Sequence, residues 1–141
     1  MIGPTHLLFA FALVYLLRLP VVYGMVGGVL PDVDIMLDAA FPFTHRGIVH
    51  TPVAAGTVSL AVFLASGRRD VAGSLFAGYL SHLFLDTFTY SGVHWFFPVR
   101  RTVSFELVGY ADPVANLGIM ALSIALVVGW QYRDRVGQWT G

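Results

Sequence analysis

Five apolar stretches fill most of this chain, and the segments between them are too short to fold by themselves. The first runs from about Leu7 to Leu17 and stops at Arg18-Leu19-Pro20. The second, Val21–Leu30, is short, holds Gly24, Gly27 and Gly28, and stops at Pro31. The third runs from about Ile48 to Ser66, the fourth from about Val71 to Thr89, and the fifth from about Pro113 to Trp130. A spanning helix needs roughly 20 apolar residues. The last three stretches meet that length, and the first two are expected to be tilted, partly re-entrant or sheltered by the others. Only 11% of the 141 residues are charged, against about 25% in soluble domains, too few to cover a globular surface. The expected fold is therefore all-α: a polytopic membrane helix bundle of about five apolar helices, the first two short, forming a single domain over residues 1–141.

The zero net charge removes the case for nucleic-acid binding. The absence of cysteine removes disulfides, thiolate catalysis and every cysteine-type metal site. Leu7–Leu17 has the length of a signal peptide core. No Arg or Lys precedes it and no small-x-small cleavage site follows, so a retained helix is expected. Gly24 and Gly28 form a GxxxG pair that permits close helix contact, though glycine is also simply common in membrane helices.

Threading the apolar stretches back and forth puts Arg18, Arg68, Arg69, Arg133 and Arg135 on one side and Arg46, Arg100 and Arg101 on the other. The arginine-richer side is then cytoplasmic by the positive-inside tendency. On this threading all five histidines and six of the eight carboxylates gather at the opposite, extracytoplasmic end; Asp70 and Asp134 stay behind, each beside an arginine. Ionisable groups at membrane depth are costly and mark functional sites.

Spacing sharpens the pattern. His82 and Asp86 are i and i+4, so they share one helix face and can ligate one ion or orient one another. The plain alternative is a structural His–Asp hydrogen bond. Asp32 and Asp34 alternate at a helix end, where carboxylates can converge on a divalent cation or simply stay solvated. His45 and His50 flank Gly47, five positions apart, so a loop–helix junction is expected with His50 on the helix. Arg46 offers forked donors to a tetrahedral anion, or snorkels at the interface. His6 gains interest only from its shared depth. Asp112-Pro113 reads first as a helix N-cap with Pro at N1. Asp38 and Glu106 read as solvated, and His94 has no assigned role. Histidine and carboxylate without thiolate favour Zn, Mn or Fe, ions that acidify bound water and polarise phosphoryl or carbonyl oxygens. A serine triad through Ser81 or Ser91 lacks a nucleophile-elbow motif.

Four motifs occur in order: Thr5-His6, Leu30-Pro31-Asp32-Val33-Asp34, His45-Arg46-Gly47-Ile48-Val49-His50-Thr51, and Gly78-Tyr79-Leu80-Ser81-His82-Leu83-Phe84-Leu85-Asp86, the last continuing through Thr89, Gly92 and Pro98. Across roughly residues 5–113 this set resembles the YdjM-like family of membrane-bound metal-dependent hydrolases. In ligand style it is more distantly similar to the zinc-dependent phospholipase C group, whose His-x3-Asp helices build a multi-zinc phosphodiesterase site. The resemblance implies His6, Asp32, Asp34, His50, His82 and Asp86 as ligands of one to three divalent ions, zinc foremost. It implies Asp34, His45 and Arg46 as the catalytic candidates. The compact Asp34–His45 interval and His94 depart from the family's pattern. The function expected is hydrolysis of a phosphoester, lipid or lipid-linked, in the inner membrane, with membrane lipid as the surrounding partner. A cation or proton transporter is the main alternative, but Val58–Leu64 offers only Ser59 and Gly118–Trp130 only Ser123 to a through-pathway. A membrane protein with a purely structural metal is the third reading.

Overall fold

The computed structural model describes residues 1–33, 47–99 and 101–139, the last three by backbone alone. Asp34, Asp38, His45, Arg46 and Arg100 lie outside the described residues. Within them the chain forms five α-helices and no strand: α1 (Gly3–Leu16), α2 (Val21–Val29), α3 (Pro52–Ser66), α4 (Arg69–Thr87) and α5 (Pro113–Trp139). Two short 3-10 turns, Leu30–Asp32 and Ile48–His50, follow α2 and precede α3.

Local chemistry sets the helix ends. Pro4, Pro52 and Pro113 sit in first turns, where a missing N–H goes unused. Thr51 precedes a proline and is extended, with φ −134° and ψ 151°, as that position favours. Its hydroxyl accepts from the Ala54 amide at 3.1 Å. That cap starts α3 at Pro52, so His50 stands in the turn ahead of the helix and not on it. Gly67 closes α3 in the left-handed region, with φ 69°. Asp112 accepts from the Ala115 amide at 2.8 Å, the cap expected of Asp-Pro, and α5 runs on past Trp130 to Trp139.

Of the three stretches expected to span a membrane, one is both long and apolar enough: Pro113–Val136 within α5, 24 residues and little buried. α3 has 15 residues, about 22 Å at 1.5 Å per residue, short of a hydrocarbon core of roughly 30 Å. α4 has 19 residues but not the apolarity.

The packing is built on glycine. α2 and α4 run parallel, in contact at Pro20–Ser74, Gly24–Gly78 and Gly28–His82. A Cβ on Gly27 would overlap the Leu75 carbonyl, and one on Gly78 the Gly24 carbonyl. α1 runs antiparallel to α2, with Val14 against Gly24 and Ala10 against Gly28. α5 lies along α1 in the same direction, tied by Thr5–Asn116 at one end and Tyr15–Gln131 at the other. α3 packs on α4. One end of the molecule thus collects the start of α1, the end of α2, the entry to α3, the end of α4 and the start of α5. Beneath it lies a core of Ala55, Tyr79, Leu83 and Val93. The connecting segment after α4 folds over this end: Val93 and Val103 exchange backbone hydrogen bonds, and the Trp95 indole donates to Thr87 at 2.8 Å.

Candidate metal centre

Five of the sequence-expected ligands meet at this end: His6 from the first turn of α1, Asp32 from the turn ending α2, His50 from the turn before α3, and His82 with Asp86 from the last turns of α4. His6, His50, His82 and Asp86 are at most 2% exposed, while Asp32 is 27% exposed. Asp32 is therefore the cluster's wet edge. The sixth expected ligand, Asp34, and the catalytic candidates Asp34, His45 and Arg46 lie outside the described residues.

The i, i+4 spacing does what helical periodicity predicts. His82 Nε2 and Asp86 Oδ2 face one another at 3.6 Å. Asp32 Oδ1 lies 3.5 Å from the same nitrogen and 3.8 Å from His50 Nε2, and His50 Nε2 lies 4.0 Å from Asp86 Oδ2. His82 Nε2 thus lies within 3.6 Å of one carboxylate oxygen from each of two segments, and His50 Nε2 lies 3.8 and 4.0 Å from the same two oxygens. Separations of 3.5–4.0 Å are too long for hydrogen bonds. The two His82 separations are near the edge of a tetrahedron with bonds of about 2.0–2.1 Å, roughly 3.3–3.4 Å, and the two His50 separations exceed that edge by about 0.4–0.7 Å. Both His6, Asp32, His82 and His50, His82, Asp86 form groups able to hold a cation.

Hydrogen bonding sets which ring nitrogens are available. His82 Nδ1 donates to the Gly28 carbonyl at 2.9 Å, which leaves the Nε2 lone pair aimed at the carboxylates. That nitrogen is buried and has no hydrogen-bond partner, a costly state unless something else satisfies it. A backbone acceptor on the far nitrogen is how metal-binding histidines are commonly oriented. His6 is arranged the other way round. Its Nε2 donates to the Met1 carbonyl at 3.1 Å and lies 3.3 Å from Asp86 Oδ1, so the buried Nδ1 carries the unused lone pair. The His6 and His82 rings stack at 3.7 Å. Asp86 Oδ1 also accepts from the Met1 amino group at 2.7 Å.

Burial works against ionisation of Asp32, but the imidazoles of His50, His82 and His6 facing it outweigh that and hold its carboxyl below the usual carboxylate range. A charged Asp32 at the accessible edge suits a cation site.

The remaining sequence-flagged residues separate cleanly. Asp112 is the cap of α5, Glu106 is exposed, and His94 sits 3.3 Å from the Thr102 hydroxyl in the connecting segment. Sequence reasoning missed the Gly28 carbonyl, which has no side-chain signature, and Asn116, a buried amide in the first turn of α5.

A family model described as YdjM inner membrane protein matches residues 1–140, and the chain belongs to that family. No curated protein and no solved structure matches it.

Proposed function

For a member of the YdjM inner membrane protein family built in this way, we propose a membrane-embedded, metal-dependent hydrolase acting on a phosphoester, lipid or lipid-linked, at the membrane interface. The observation that carries the reading is the approach of Asp32 Oδ1 and Asp86 Oδ2 to both His82 Nε2 and His50 Nε2 at 3.5–4.0 Å, with His50, His82 and Asp86 forming one group able to hold a cation. Two imidazoles and two carboxylates form a donor set for Zn, with Mn or Fe next. Such an ion supplies Lewis acidity and acidifies water.

The chain's own residues do the rest. The Gly28 carbonyl fixes the His82 tautomer. Asp86 offers one oxygen to His82 and His50 while the other is engaged by His6 and the Met1 amino group. Asp32 gives the site its charged, accessible edge. Asp34, His45 and Arg46 belong, in this reading, to proton handling and to holding the phosphoryl group. In this reading the shorter helices and α5 together make a polytopic bundle, and the excess of arginine at the opposite end favours the extracytoplasmic face of the inner membrane for the site.

A transport pathway finds little support, because the buried polar residues Ser59, Ser74 and Ser123 lie singly on separate helices away from the cluster. The test is the metal content of detergent-purified protein by elemental mass spectrometry, followed by hydrolysis of a chromogenic phosphodiester and of phospholipid vesicles. Metal in the wild type, lost in His82→Ala together with turnover, supports the reading. Metal without turnover on any phosphoester leaves a structural ion, and no metal after reconstitution overturns the hydrolase.

A further inference from the structure

The start of α1 has no cap of its own. Ile2 is its N-cap residue and no side chain of α1 accepts from the first-turn amides, although orphan amides at a helix start need acceptors. The acceptor comes from another helix. Asn116 Oδ1 takes the Ile2 amide at 3.2 Å and the Thr5 hydroxyl at 2.7 Å. Its Nδ2 donates to the carbonyls of Tyr110 at 3.1 Å and Asp112 at 2.7 Å. Asn116 is 2% exposed and Thr5 fully buried, so one buried amide makes four hydrogen bonds, the one to Thr5 wholly inside.

We infer that Asn116, acting through Thr5, is a positioning residue for the metal centre: it caps α1 in trans and sets the depth and rotation at which His6 meets His82 and Asp86. The geometry is short. Thr5 is the residue next to His6, whose Nε2 lies 3.3 Å from Asp86 Oδ1 and whose ring stacks on His82. A hydroxyl bonded to a fully satisfied amide holds one rotamer. The first turn of α1 therefore cannot rotate without leaving Asn116 Oδ1 short of a donor. The device also fastens α5 to the site, because α5 packs along α1. The inference rests on the metal reading for its affinity consequence, but not for the placement of His6.

The same helix pair supplies its own control. At the far end, the Gln131 amide donates to the Tyr15 hydroxyl at 3.2 Å. A general loosening of α1 on α5 would follow from breaking either bond; a positioning role follows only from the first. Removing Asn116 strips several partners at once and threatens insertion, so the test uses Thr5→Val, Thr5→Ser and Tyr15→Phe. Cobalt(II) is the probe, read by its visible d–d bands and by titration. Histidine-selective 15N NMR of the metal-free proteins is the second readout.

The expectation for Thr5→Val is cobalt affinity lowered about tenfold, the scale of losing an orienting partner, with altered d–d bands and shifted His6 ring resonances. Thr5→Ser restores all three, and Tyr15→Phe matches wild type. Wild-type cobalt binding unchanged in Thr5→Val, or an equal loss in Tyr15→Phe, overturns the inference and leaves the metal reading intact. If wild type binds no cobalt, the metal reading fails by itself. The His6 resonances then decide the positioning role: movement in Thr5→Val alone supports it, and no movement overturns it.

Discussion

His82 donates through Nδ1 to the backbone carbonyl of Gly28, 2.9 Å away on the neighbouring helix. That bond exists because α2 and α4 approach backbone to backbone, and the approach exists because Gly27 and Gly78 carry no side chain at the crossing. The ring's tautomer is thus decided by two glycines, one a single turn earlier on its own helix and one on the neighbouring helix.

Gly27→Ala should therefore damage the site as well as the fold. Its Cβ would overlap the Leu75 carbonyl, backbone that cannot turn aside, and overpacking of this kind costs about 1–3 kcal/mol or more. The expected result is a lower thermal midpoint in detergent together with reduced metal retention. Gly56→Ala is the matched control. A Cβ there meets nothing within 4 Å, and inside a helix it should be neutral or stabilising by up to about 1 kcal/mol.

His82→Ala and Asp86→Ala should each abolish metal retention while the protein still inserts. Loss of a ligand should exceed the roughly 10–100-fold affinity cost of losing an orienting partner. Equilibrium dialysis against zinc, with membrane flotation as the insertion check, decides it. Normal metal content in both variants would sink the shared-face argument.

Asp32 makes a pH-dependent contribution whose sign can be worked out. Its carboxyl is held below the ordinary aspartate value in the folded, metal-free protein. The folded state binds that proton less readily than the unfolded state, so the stabilisation is fully present above about pH 4 and is lost as pH falls through the folded-state value. Asp32→Asn should lower the thermal midpoint of chelator-treated protein at neutral pH. The gap from wild type should close on acidification below pH 4, and a gap that stays constant with pH would contradict the assignment.

Asp112→Ala should cost about 1 kcal/mol by removing the α5 cap and leave metal affinity unchanged, since its oxygen accepts from the Ala115 amide. Thermal melts and cobalt titration in parallel separate the two effects.

Much of the site was legible from residue types alone. Helical periodicity brings His82 and Asp86 onto one face, and the back-and-forth order of apolar stretches puts His6, Asp32 and His50 at the same end. What escaped has physical causes. His50 precedes its helix because Pro52 forces Thr51 into an extended conformation. The Gly28 carbonyl and the Asn116 cap act between segments distant in the chain, and an acceptor on a neighbouring backbone leaves no pattern in the sequence. Helix lengths diverged for a related reason. The turn and cap around Thr51 consume the residues that would have brought the Ile48–Ser66 stretch to spanning length.

The contacts between α2 and α4 keep a constant offset: Pro20 with Ser74, Gly24 with Gly78 and Gly28 with His82 are each 54 positions apart. The two helices behave like a closed zip. One inserted residue between Ser74 and His82 would swing the imidazole about 100° around its axis, away from Gly28 and into a neighbour. The same insertion between α2 and α4 would change the offset and nothing else at the seam. Length variation among descendants of this fold should therefore collect in the connections and leave both halves of the zip untouched.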